Sequence, residues 1–405
     1  MRLLIADKLH ERAVEELRSL PLEVTYEPEL TKETLETKIA GVGILIVRST
    51  AVTENTVERA RSLHLIVRAG TETNTIDVRA ASRRGIFVAN CPGKNASAVT
   101  ELVFGLLLGI DRRIPDALTA LRAGKWERGE YQRAEGLVGK TIGIAGLGAI
   151  GRDVAMKAKA FGLNVVGWSR SLTPSKAQEL GIGYASSIAE LAAKSNILTM
   201  HLPLNERTKH IADERLFAAM PPRSIFINTA RADLVDHAAL KDAIQKKGLR
   251  VGLDVFPDEP KGKSEFRSDL FGPASATGGF VYATPHIAAS TDRAQLAIAL
   301  ETVRVIRAFL LEGDVPNVVN VTSSVAKFQV VIRMMDKVGT FANVLSVLKR
   351  HGINIEEVNN TIFEGGGAAC AKLRVVSRPT DVCLQEIKAF EEVLQVDVVT
   401  LPNLA

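Results

Sequence analysis

Three ionisable side chains in the second half of the chain each lie close behind an apolar stretch. Arg231 follows "SIFINTA", Glu259 follows "VGLDVFPD", and His286 lies in "YATPHIAAS". An arginine binds a carboxylate through two parallel hydrogen bonds, and a histidine exchanges a proton near its unperturbed pKa of about 6.5. A glutamate beside that histidine would orient the ring and stabilise its protonated form. Each residue alone is often only a solvated loop residue. Together they indicate hydride transfer between a small 2-hydroxy acid and a nicotinamide.

A glycine motif supplies a site for such a cofactor. Gly146, Gly148 and Gly151 form GxGxxG between the strand "TIGIA" and the helix "AIGRDVAMKAKAF". The glycines allow a tight turn, a close approach of backbone N–H groups to a pyrophosphate, and close packing of the helix on the strand. The start of the helix, which includes Ala149 and Ile150, adds a partial positive charge that favours phosphates. This arrangement predicts a dinucleotide site.

The strand after this motif, "NVVGW", ends in Ser169 and Arg170, where such units usually have Asp or Glu. A carboxylate there binds the ribose hydroxyls and repels a 2'-phosphate. Ser169 and Arg170 do neither, and the arginine can hold that phosphate. We therefore expect NAD(P) with a preference for NADP, without excluding NAD.

The elements that must position these residues are alternating strands and helices. The first hundred residues and the stretch from about 140 to 283 both show short apolar strands between helical patterns, which predicts parallel sheets covered on both faces. A long helical pattern ends at Gly313, as a helix stop should. A stretch with turn residues, "DVPNVVNVTSSVAKF", then reads as a linker to a small βαββαβ domain.

The composition limits the class of partner. Lys and Arg number 51 against 46 Asp and Glu, and they are scattered, so nucleic-acid binding is disfavoured and small anionic ligands are favoured. No apolar run approaches the roughly 20 residues that cross a bilayer, and the first residues lack a signal-peptide pattern. The three cysteines have no metal-ligand spacing, so no metal site is expected. We expect a cytoplasmic protein.

Five motifs occur in a fixed order: "GKTIGIAGLGAIG", "HLPLNERTKH", "INTARADLVD", "LDVFPDEP" and "TPHIAAST". Through them the chain resembles the D-isomer-specific 2-hydroxyacid dehydrogenases, most closely the 3-phosphoglycerate-oxidising branch with a C-terminal ACT domain. The resemblance implies an α/β fold with two doubly wound parallel-sheet domains of Rossmann or flavodoxin type. Residues 1–97 and 284–317 would form the substrate-binding domain, 98–283 the nucleotide-binding domain and 326–405 the ACT regulatory domain.

The resemblance also implies roles for single residues. Arg231 would bind the substrate carboxylate or keto oxygen, and Glu259 would pair with His286, which exchanges the hydroxyl proton. Cofactor contacts are implied for Leu202, Thr229, Ala230 and Asp254, and substrate contacts for Arg48, Ser49, Thr71 and Thr73. The activity implied is oxidation of the C2 hydroxyl of a D-2-hydroxy acid, as in the first step of serine synthesis. The segment "GKWERGEYQRAEG" matches an arm that joins subunits, so a homo-oligomer, dimer or tetramer, is expected.

Three features depart from the family pattern. Glu72 in "RAGTETNTID" replaces a common glycine in a loop that binds the substrate carboxylate, so a change in substrate choice is expected. The segment from Lys261 to Tyr282, between Glu259 and His286, is longer and richer in glycine than usual. In the C-terminal domain Asn354 matches the amino-acid site of serine-inhibited relatives, whereas Met334 and Asp336 do not.

Two other functions remain open. An NADPH-dependent glyoxylate or hydroxypyruvate reductase shares the arginine, glutamate and histidine. Ser169 and Arg170 favour it, and the ACT-like tail opposes it. A cofactor-sensing binding protein of the corepressor type, from another class, is opposed by the retention of all three catalytic candidates.

Overall fold

The computed structural model describes residues 1–260, 264–272, 274–322 and 325–402. The chain divides into two compact units, residues 1–320 and 321–405. The predicted segment from Lys261 to Tyr282 lies partly outside the described residues, because 261–263 and 273 are not among them.

The first unit begins with a five-stranded sheet. Its strands are β1 (Arg2–Ile5), β2 (Glu23–Tyr26), β3 (Ile44–Val47), β4 (Leu65–Arg68) and β5 (Phe87–Ala89). They are parallel, in the order β2-β1-β3-β4-β5. The connecting helices are α1 (Glu11–Arg18), α2 (Lys32–Lys38), α3 (Glu54–Arg59) and α4 (Val78–Arg83). All four residues of β3, "ILIV", are buried, as expected for a strand covered on both faces.

A seven-stranded sheet follows. Its strands are β6 (Thr141–Ala145), β7 (Asn164–Trp168), β8 (Gly183–Tyr184), β9 (Ile197–Met200), β10 (Ile225–Asn228), β11 (Arg250–Leu253) and β12 (Phe280–Ala283). They are parallel, in the order β12-β11-β10-β9-β6-β7-β8. The strand order reverses at β6, and in open sheets of this kind the crevice beside such a strand, at the carboxyl ends, binds ligands.

Helices surround this sheet and return the chain to the first one. They are α5 (Ala96–Arg112), α6 (Ile114–Arg122), α7 (Arg128–Tyr131), α8 (Ala149–Ala160), α9 (Pro174–Glu179), α10 (Ile188–Ala193), α11 (Glu214–Ala219) and α12 (His237–Lys247). Helix α5 packs on β10, β11 and β12, whereas α13 (Asp292–Glu312) packs on α1 and β4. The chain therefore crosses between the two sheets just before α5 and again between β12 and α13. We call each sheet with its helices the five-stranded lobe and the seven-stranded lobe.

The second unit has the predicted βαββαβ order. Its elements are β13 (Phe328–Met335), α14 (Thr340–Arg350), β14 (Ile355–Ile362), β15 (Ala368–Val375), α15 (Asp381–Lys388) and β16 (Val393–Thr400). The sheet is antiparallel, in the order β14-β15-β13-β16. Its core includes Ile332, Val344, Leu348, Leu373 and Ile387. Two parallel-sheet lobes and one small antiparallel domain confirm the predicted fold class.

The linker stretch is partly ordered against the first sheet. The N–H of Val319 donates to the carbonyl of Val88 at 2.8 Å, and the Asn320 side chain accepts from the N–H of Val88 at 2.8 Å. The turn residues in "DVPNVVN" predict a linker. The pairing with β5 could not be predicted from them, because it depends on contacts with a segment that is distant in the sequence. None of the helices in the described part of the chain is long and apolar enough to cross a membrane.

Candidate active site

A cavity of about 730 Å³ lies where loops of the two lobes meet. Nine predicted residues line it: Arg48, Ser49, Thr71, Ile150, Leu202, Thr229, Ala230, Arg231 and His286. All of them except Ile150 lie within three residues after the end of a strand, so the carboxyl ends of both parallel sheets supply most of the lining. The cavity is also lined by residues that were not predicted from the sequence, among them Arg68, Asn95, His201 and Gln295.

His286 and Glu259 form a hydrogen-bonded pair. Nδ1 of His286 lies 2.6 Å from Oε2 of Glu259, and Oε1 of Glu259 accepts the N–H of Phe256 at 2.9 Å. The backbone of the loop thus orients the carboxylate, and the carboxylate orients the ring. With Nδ1 engaged, Nε2 is the ring nitrogen left for a ligand, and His286 lines the main cavity.

The backbone around this pair is held in an unusual conformation. His286 has φ +53° and Asp258, next to Glu259, has φ +56°, a left-handed region that costs a residue with a Cβ about 1–2 kcal/mol. Buried Asp254 holds the histidine loop in place. Its carboxylate accepts from Oγ1 of Thr284 at 2.5 Å and from the N–H groups of Ile287 and Ala288, both at 2.8 Å.

This network bears on the nicotinamide contact predicted for Asp254. The side chain is fully buried, and it is absent from the cavity lining drawn from the described residues. Its carboxylate is already bonded to the segment on both sides of His286. In this structure Asp254 therefore helps to position His286 through that segment of backbone.

Arg231 is fixed at its backbone by a buried asparagine. Nδ2 of Asn228 donates to the carbonyl of Arg231 at 2.8 Å, and Oδ1 accepts the N–H of Ala230 at 3.0 Å. The guanidinium then reaches across the cavity. Nη2 and Nε lie 2.5 Å and 3.2 Å from one oxygen of Glu72, and Nη1 donates to the carbonyl of Ala230 at 2.5 Å. The unusual acid in the substrate loop is thus paired with the predicted substrate arginine.

Two further arginines face the same space. Oδ2 of Asp7 accepts the N–H groups of Arg48, Ser49 and Thr50 at 2.6, 3.1 and 3.0 Å, which fixes the loop after β3. Nε of Arg68 donates to the carbonyl of Arg48 at 3.1 Å. Burial lowers the pKa of Arg68, Glu72 opposes that shift, and nearby Arg231 and Arg48 lower it further. The guanidinium nevertheless remains charged at neutral pH.

The predicted substrate threonines differ in position. Thr71 lines the cavity, and its Oγ1 lies 3.0 Å from Oδ1 of Asn95. Thr73 is half-buried and is absent from the lining given by the described residues. The loop thus presents Thr71 and Glu72 to the cavity.

His201 is a half-buried, uncharged part of the cavity wall. Its Nε2 lies 3.0 Å from Oγ1 of Thr199, and its Nδ1 has no partner among the described residues. Burial lowers the pKa of this imidazole to about 4, so it is neutral at pH 7. In the sequence, His201 stands out only as the first residue of the family motif "HLPLNERTKH".

The three glycines of the turn have different surroundings: two face the protein's own backbone, and one faces open space. A Cβ on Gly151 would lie 1.9 Å from the carbonyl oxygen of Gly146, and one on Gly146, whose φ is +99°, would lie 2.5 Å from the carbonyl oxygen of His201. A Cβ on Gly148 would meet nothing within 4 Å. The first and third glycines are therefore required by the protein's own packing, whereas the second faces open space.

That space fits a dinucleotide phosphate. Gly148 is the N-cap of α8, and no side chain of the described residues caps this end. The N–H groups at Ala149 and Ile150 begin a helix whose dipole favours an anion. Ser169, half-buried, and Arg170, exposed, follow the neighbouring β7. Neither side chain forms a hydrogen bond or ion pair within the described ranges.

A smaller cavity of about 410 Å³ adjoins the His286–Glu259 pair. Phe256, Phe266 and Phe271 line it together with Glu259 and His286, and the Phe256 ring centroid lies 5.2 Å and 5.5 Å from the other two. The described part of the segment between Glu259 and His286 therefore packs as an aromatic cluster and leaves their hydrogen bond intact.

In the second unit Asn354 is exposed, and its Nδ2 donates to Oε1 of Glu356 at 3.0 Å. It borders a shallow depression with Leu345 and Lys349. Met334, in contrast, is 2% exposed and belongs to the core of this unit. Burial explains why Met334 does not have the polar character of an effector ligand.

Comparison with known proteins identifies relatives of this chain. The sequence model described as "D-isomer specific 2-hydroxyacid dehydrogenase, NAD binding domain" matches residues 104–288. A D-3-phosphoglycerate dehydrogenase of Methanocaldococcus jannaschii is 38% identical over 326 residues, which are 78% of this chain and 60% of that protein. A hydroxypyruvate reductase of Thermotoga maritima is 39% identical over 285 residues, 70% of this chain and 89% of that protein.

A solved structure agrees with these matches. An acyclic imino acid reductase in complex with NADPH and D-Arg superposes with a TM-score of 0.68 at 28% identity, and covers 79% of this chain and 100% of that one. The chain spans about 60% of the length of the matched phosphoglycerate dehydrogenases of Methanocaldococcus jannaschii and Mycobacterium bovis. The superposition shows that the imino acid reductase shares the fold of this chain over the aligned residues.

Proposed function

Because this chain belongs to the D-isomer specific 2-hydroxyacid dehydrogenase family, we propose that it is a nicotinamide-dependent enzyme acting on a small anionic D-2-hydroxy acid. D-3-phosphoglycerate is the leading substrate, which would place the reaction at the first step of serine synthesis. The observation that carries this proposal is the His286–Glu259 pair opening into one cavity with Arg231, Arg48 and Arg68.

The charges around the cavity support a substrate with two anionic groups. Three arginines line it against one carboxylate, Glu72, among the described residues. Arg231 has the planar donor edge that binds a C1 carboxylate. Arg48 and Arg68, held together by the hydrogen bond between them, provide a second cationic position for a phosphate. A hydroxy acid with a single carboxylate would use only one of these positions.

The His286–Glu259 pair can accept and return the proton of the substrate C2 hydroxyl. During oxidation His286 receives the C2 hydroxyl proton at Nε2, and Glu259 stabilises the resulting imidazolium through Nδ1–H. During reduction the same proton returns to the keto oxygen. A nicotinamide dinucleotide whose pyrophosphate is held at the Gly146–Gly151 turn would supply the hydride acceptor or donor. Arg231 orients the substrate through its carboxylate so that C2 lies next to His286.

A substrate panel tests the proposal directly. Steady-state rates of 3-phosphoglycerate oxidation are compared with rates of glyoxylate and hydroxypyruvate reduction, each with NAD and NADP cofactors. We expect the highest kcat/KM for 3-phosphoglycerate. Faster reduction of hydroxypyruvate would instead assign the second candidate, a hydroxypyruvate or glyoxylate reductase. The relative from Thermotoga maritima, matched over 89% of its length, supports that candidate.

We further infer a preference for NADP over NAD. Ser169 lies at the end of β7, where a carboxylate would repel a 2'-phosphate, and exposed Arg170 carries an unpaired charge within the described ranges. One structural relative was solved with NADPH, while the matched family model is described as NAD binding. The ratio of the two kcat/KM values is the measurement that decides between them.

We also propose a homo-oligomer with a regulatory C-terminal unit of the ACT type. Trp126 is 82% exposed, and Ile114 and Leu121 are each 53% exposed, which is unusual for large apolar side chains grouped around α6. Light scattering of the full chain tests the association. Inhibition by serine, with Asn354 as the candidate contact, and a cytoplasmic location stay predictions.

A further inference from the structure

We propose that Glu72 is a built-in competitor for the substrate carboxylate at Arg231. The inference rests on the proposed function, since it assumes that Arg231 is the carboxylate site. It assigns to Glu72 control over substrate affinity. The side chain occupies the guanidinium until a ligand carboxylate displaces it.

The geometry of the pair resembles that of a bound ligand. One oxygen of Glu72 lies between Nη2 and Nε of Arg231, at 2.5 Å and 3.2 Å. This is the edge of the guanidinium that presents two donors to a carboxylate. The remaining nitrogen, Nη1, donates to the carbonyl of Ala230. The edge that a substrate would use is therefore already filled.

Glu72 reaches this position from a loop that is tied at its neighbour. Nδ2 of Asn90 donates to the carbonyl of Thr71 at 2.6 Å, and Oγ1 of Thr71 contacts Oδ1 of Asn95 at 3.0 Å. Displacement therefore requires rotation of the Glu72 side chain alone. Its neighbours Thr71 and Gly70 also line the cavity, so the vacated edge opens into the substrate space.

The pair is weak enough to be displaced. The Arg231 and Glu72 side chains remain 33% and 36% exposed, and partly exposed ion pairs of this kind contribute roughly 0–1 kcal/mol. Glu72 nevertheless lowers the affinity of every carboxylate, because each one must replace it. A ligand whose second anionic group binds Arg48 and Arg68 offsets this loss, whereas a monocarboxylate has no such contact.

The opposite role, in which Glu72 orients Arg231 for the substrate, predicts the reverse effect of its removal. The two roles are separated by direct binding of oxamate, a small unreactive monocarboxylate shaped like a 2-keto acid. Isothermal titration of the full-length protein in the presence of saturating NADPH, the reduced form of the cofactor proposed above, gives its Kd without any turnover. Glu72→Gln removes the charge and keeps the size, and Glu72→Gly removes the side chain.

We expect both variants to bind oxamate about threefold to fivefold more tightly than the wild type, because the competing charge is gone. Glu54→Gln is the matched control. It breaks the exposed Arg83–Glu54 ion pair, which does not line the cavity, and its oxamate Kd should be unchanged. Thermal unfolding of each variant verifies that it folds.

Unchanged or weaker oxamate binding in Glu72→Gln would overturn the inference. Arg231→Gln separates this failure from that of the proposed function. If Arg231→Gln loses oxamate binding while Glu72→Gln matches the wild type, Arg231 is the carboxylate site and Glu72 does not compete for it. If Arg231→Gln binds oxamate as the wild type does, the proposed carboxylate site itself is wrong.

Discussion

Nδ1 of His286 lies 2.6 Å from Oε2 of Glu259, although 27 residues separate the two along the chain. Asp254, at the end of β11, bonds both flanks of His286, and Phe256 bonds the other oxygen of Glu259. One strand end thus positions both members of the pair. This explains how a histidine that is half exposed is kept in a single orientation.

Replacing the imidazole should remove the proton acceptor and spare the cofactor site. His286→Asn is the informative variant, because asparagine tolerates the left-handed backbone found here at φ +53°. We expect kcat to fall by about 10²–10⁴, the usual contribution of a general acid–base group. Cofactor Kd, measured by fluorescence titration, should change little.

His64→Ala serves as the control, since His64 is exposed and is absent from the cavity lining formed by described residues. Its kcat should equal that of the wild type. A His286→Asn enzyme with normal turnover would remove His286 from the mechanism.

Replacing Arg231 by lysine should show whether the substrate carboxylate needs the planar donor edge of the guanidinium or only its positive charge. Lysine keeps the positive charge but has no planar edge with two donors, so the substrate carboxylate loses its bidentate contact. We expect kcat/KM for the hydroxy acid to fall by roughly tenfold or more, the loss of one charge-assisted hydrogen bond. The measurement is the substrate dependence of the initial rate. Near-normal catalysis in Arg231→Lys would refute the carboxylate role.

Local sequence patterns were sufficient to predict most of the helices and strands and the glycine turn. The all-apolar β3 and the GxGxxG between β6 and α8 carry signals within ten residues, and the structure has both where they are expected. Strands β2, β8 and β12 escaped prediction. Strand β8 has only two residues, and β12 lies in a glycine-rich stretch whose pairing with β11 is set by the sheet.

The parts of the site that sequence reasoning missed depend on contacts between distant segments. Asp7 binds the loop after β3 across 41 residues, and Arg231 meets Glu72 across 159 residues and two lobes. Asp7 lies just after the end of β1, but the local sequence does not show that its carboxylate binds a loop 41 residues away. Arg68 is the last residue of β4, at the carboxyl end of a strand, as Arg231 is just beyond the end of β10. Its place in the site could therefore have been predicted from the sequence.

Introducing a carboxylate at the end of β7 should reverse the cofactor preference. In Ser169→Asp the new group would bond the ribose hydroxyls of NAD and repel the 2'-phosphate of NADP. We expect the NADP to NAD ratio of kcat/KM to fall at least about tenfold, or 1.4 kcal/mol. Ser171→Asp, on an exposed residue two positions further, is the control and should have a smaller effect. An unaltered ratio in Ser169→Asp would end the NADP proposal.

Glu301 in α13 should make stability depend on pH. Its side chain is 6% exposed and bonds Arg304 at 2.6 Å, Asn317 at 2.7 Å and Lys94 at 3.1 Å. The hydrogen bond from Arg304 is the largest cause that lowers the pKa of this carboxyl to about 2, and the bonds from Asn317 and Lys94 lower it further. Since the folded-state pKa lies below the unfolded one, the stabilisation is full above about pH 4.5 and is lost as the pH falls towards 2.

Glu301→Gln should therefore lower the urea midpoint at pH 7 by the equivalent of about 1–3 kcal/mol, and the difference from the wild type should shrink below pH 4.5. Glu54→Gln, which removes an exposed pair, should show little difference at any pH. A Glu301→Gln difference that stays constant down to pH 3 would mean that packing, not charge, accounts for it.

The glycine turn allows ligand binding to be separated from folding by two substitutions of the same kind. Gly151→Ala places a Cβ 1.9 Å from the carbonyl oxygen of Gly146, a backbone atom that cannot yield without moving the turn, so we expect a loss of several degrees in Tm. Gly148→Ala meets no protein atom within 4 Å, so its Tm without cofactor should equal that of the wild type. Its Kd for the dinucleotide should rise, because the added methyl group enters the space in front of the α8 N-terminus. Equal cofactor affinity in Gly148→Ala and the wild type would show that the pyrophosphate does not approach this glycine.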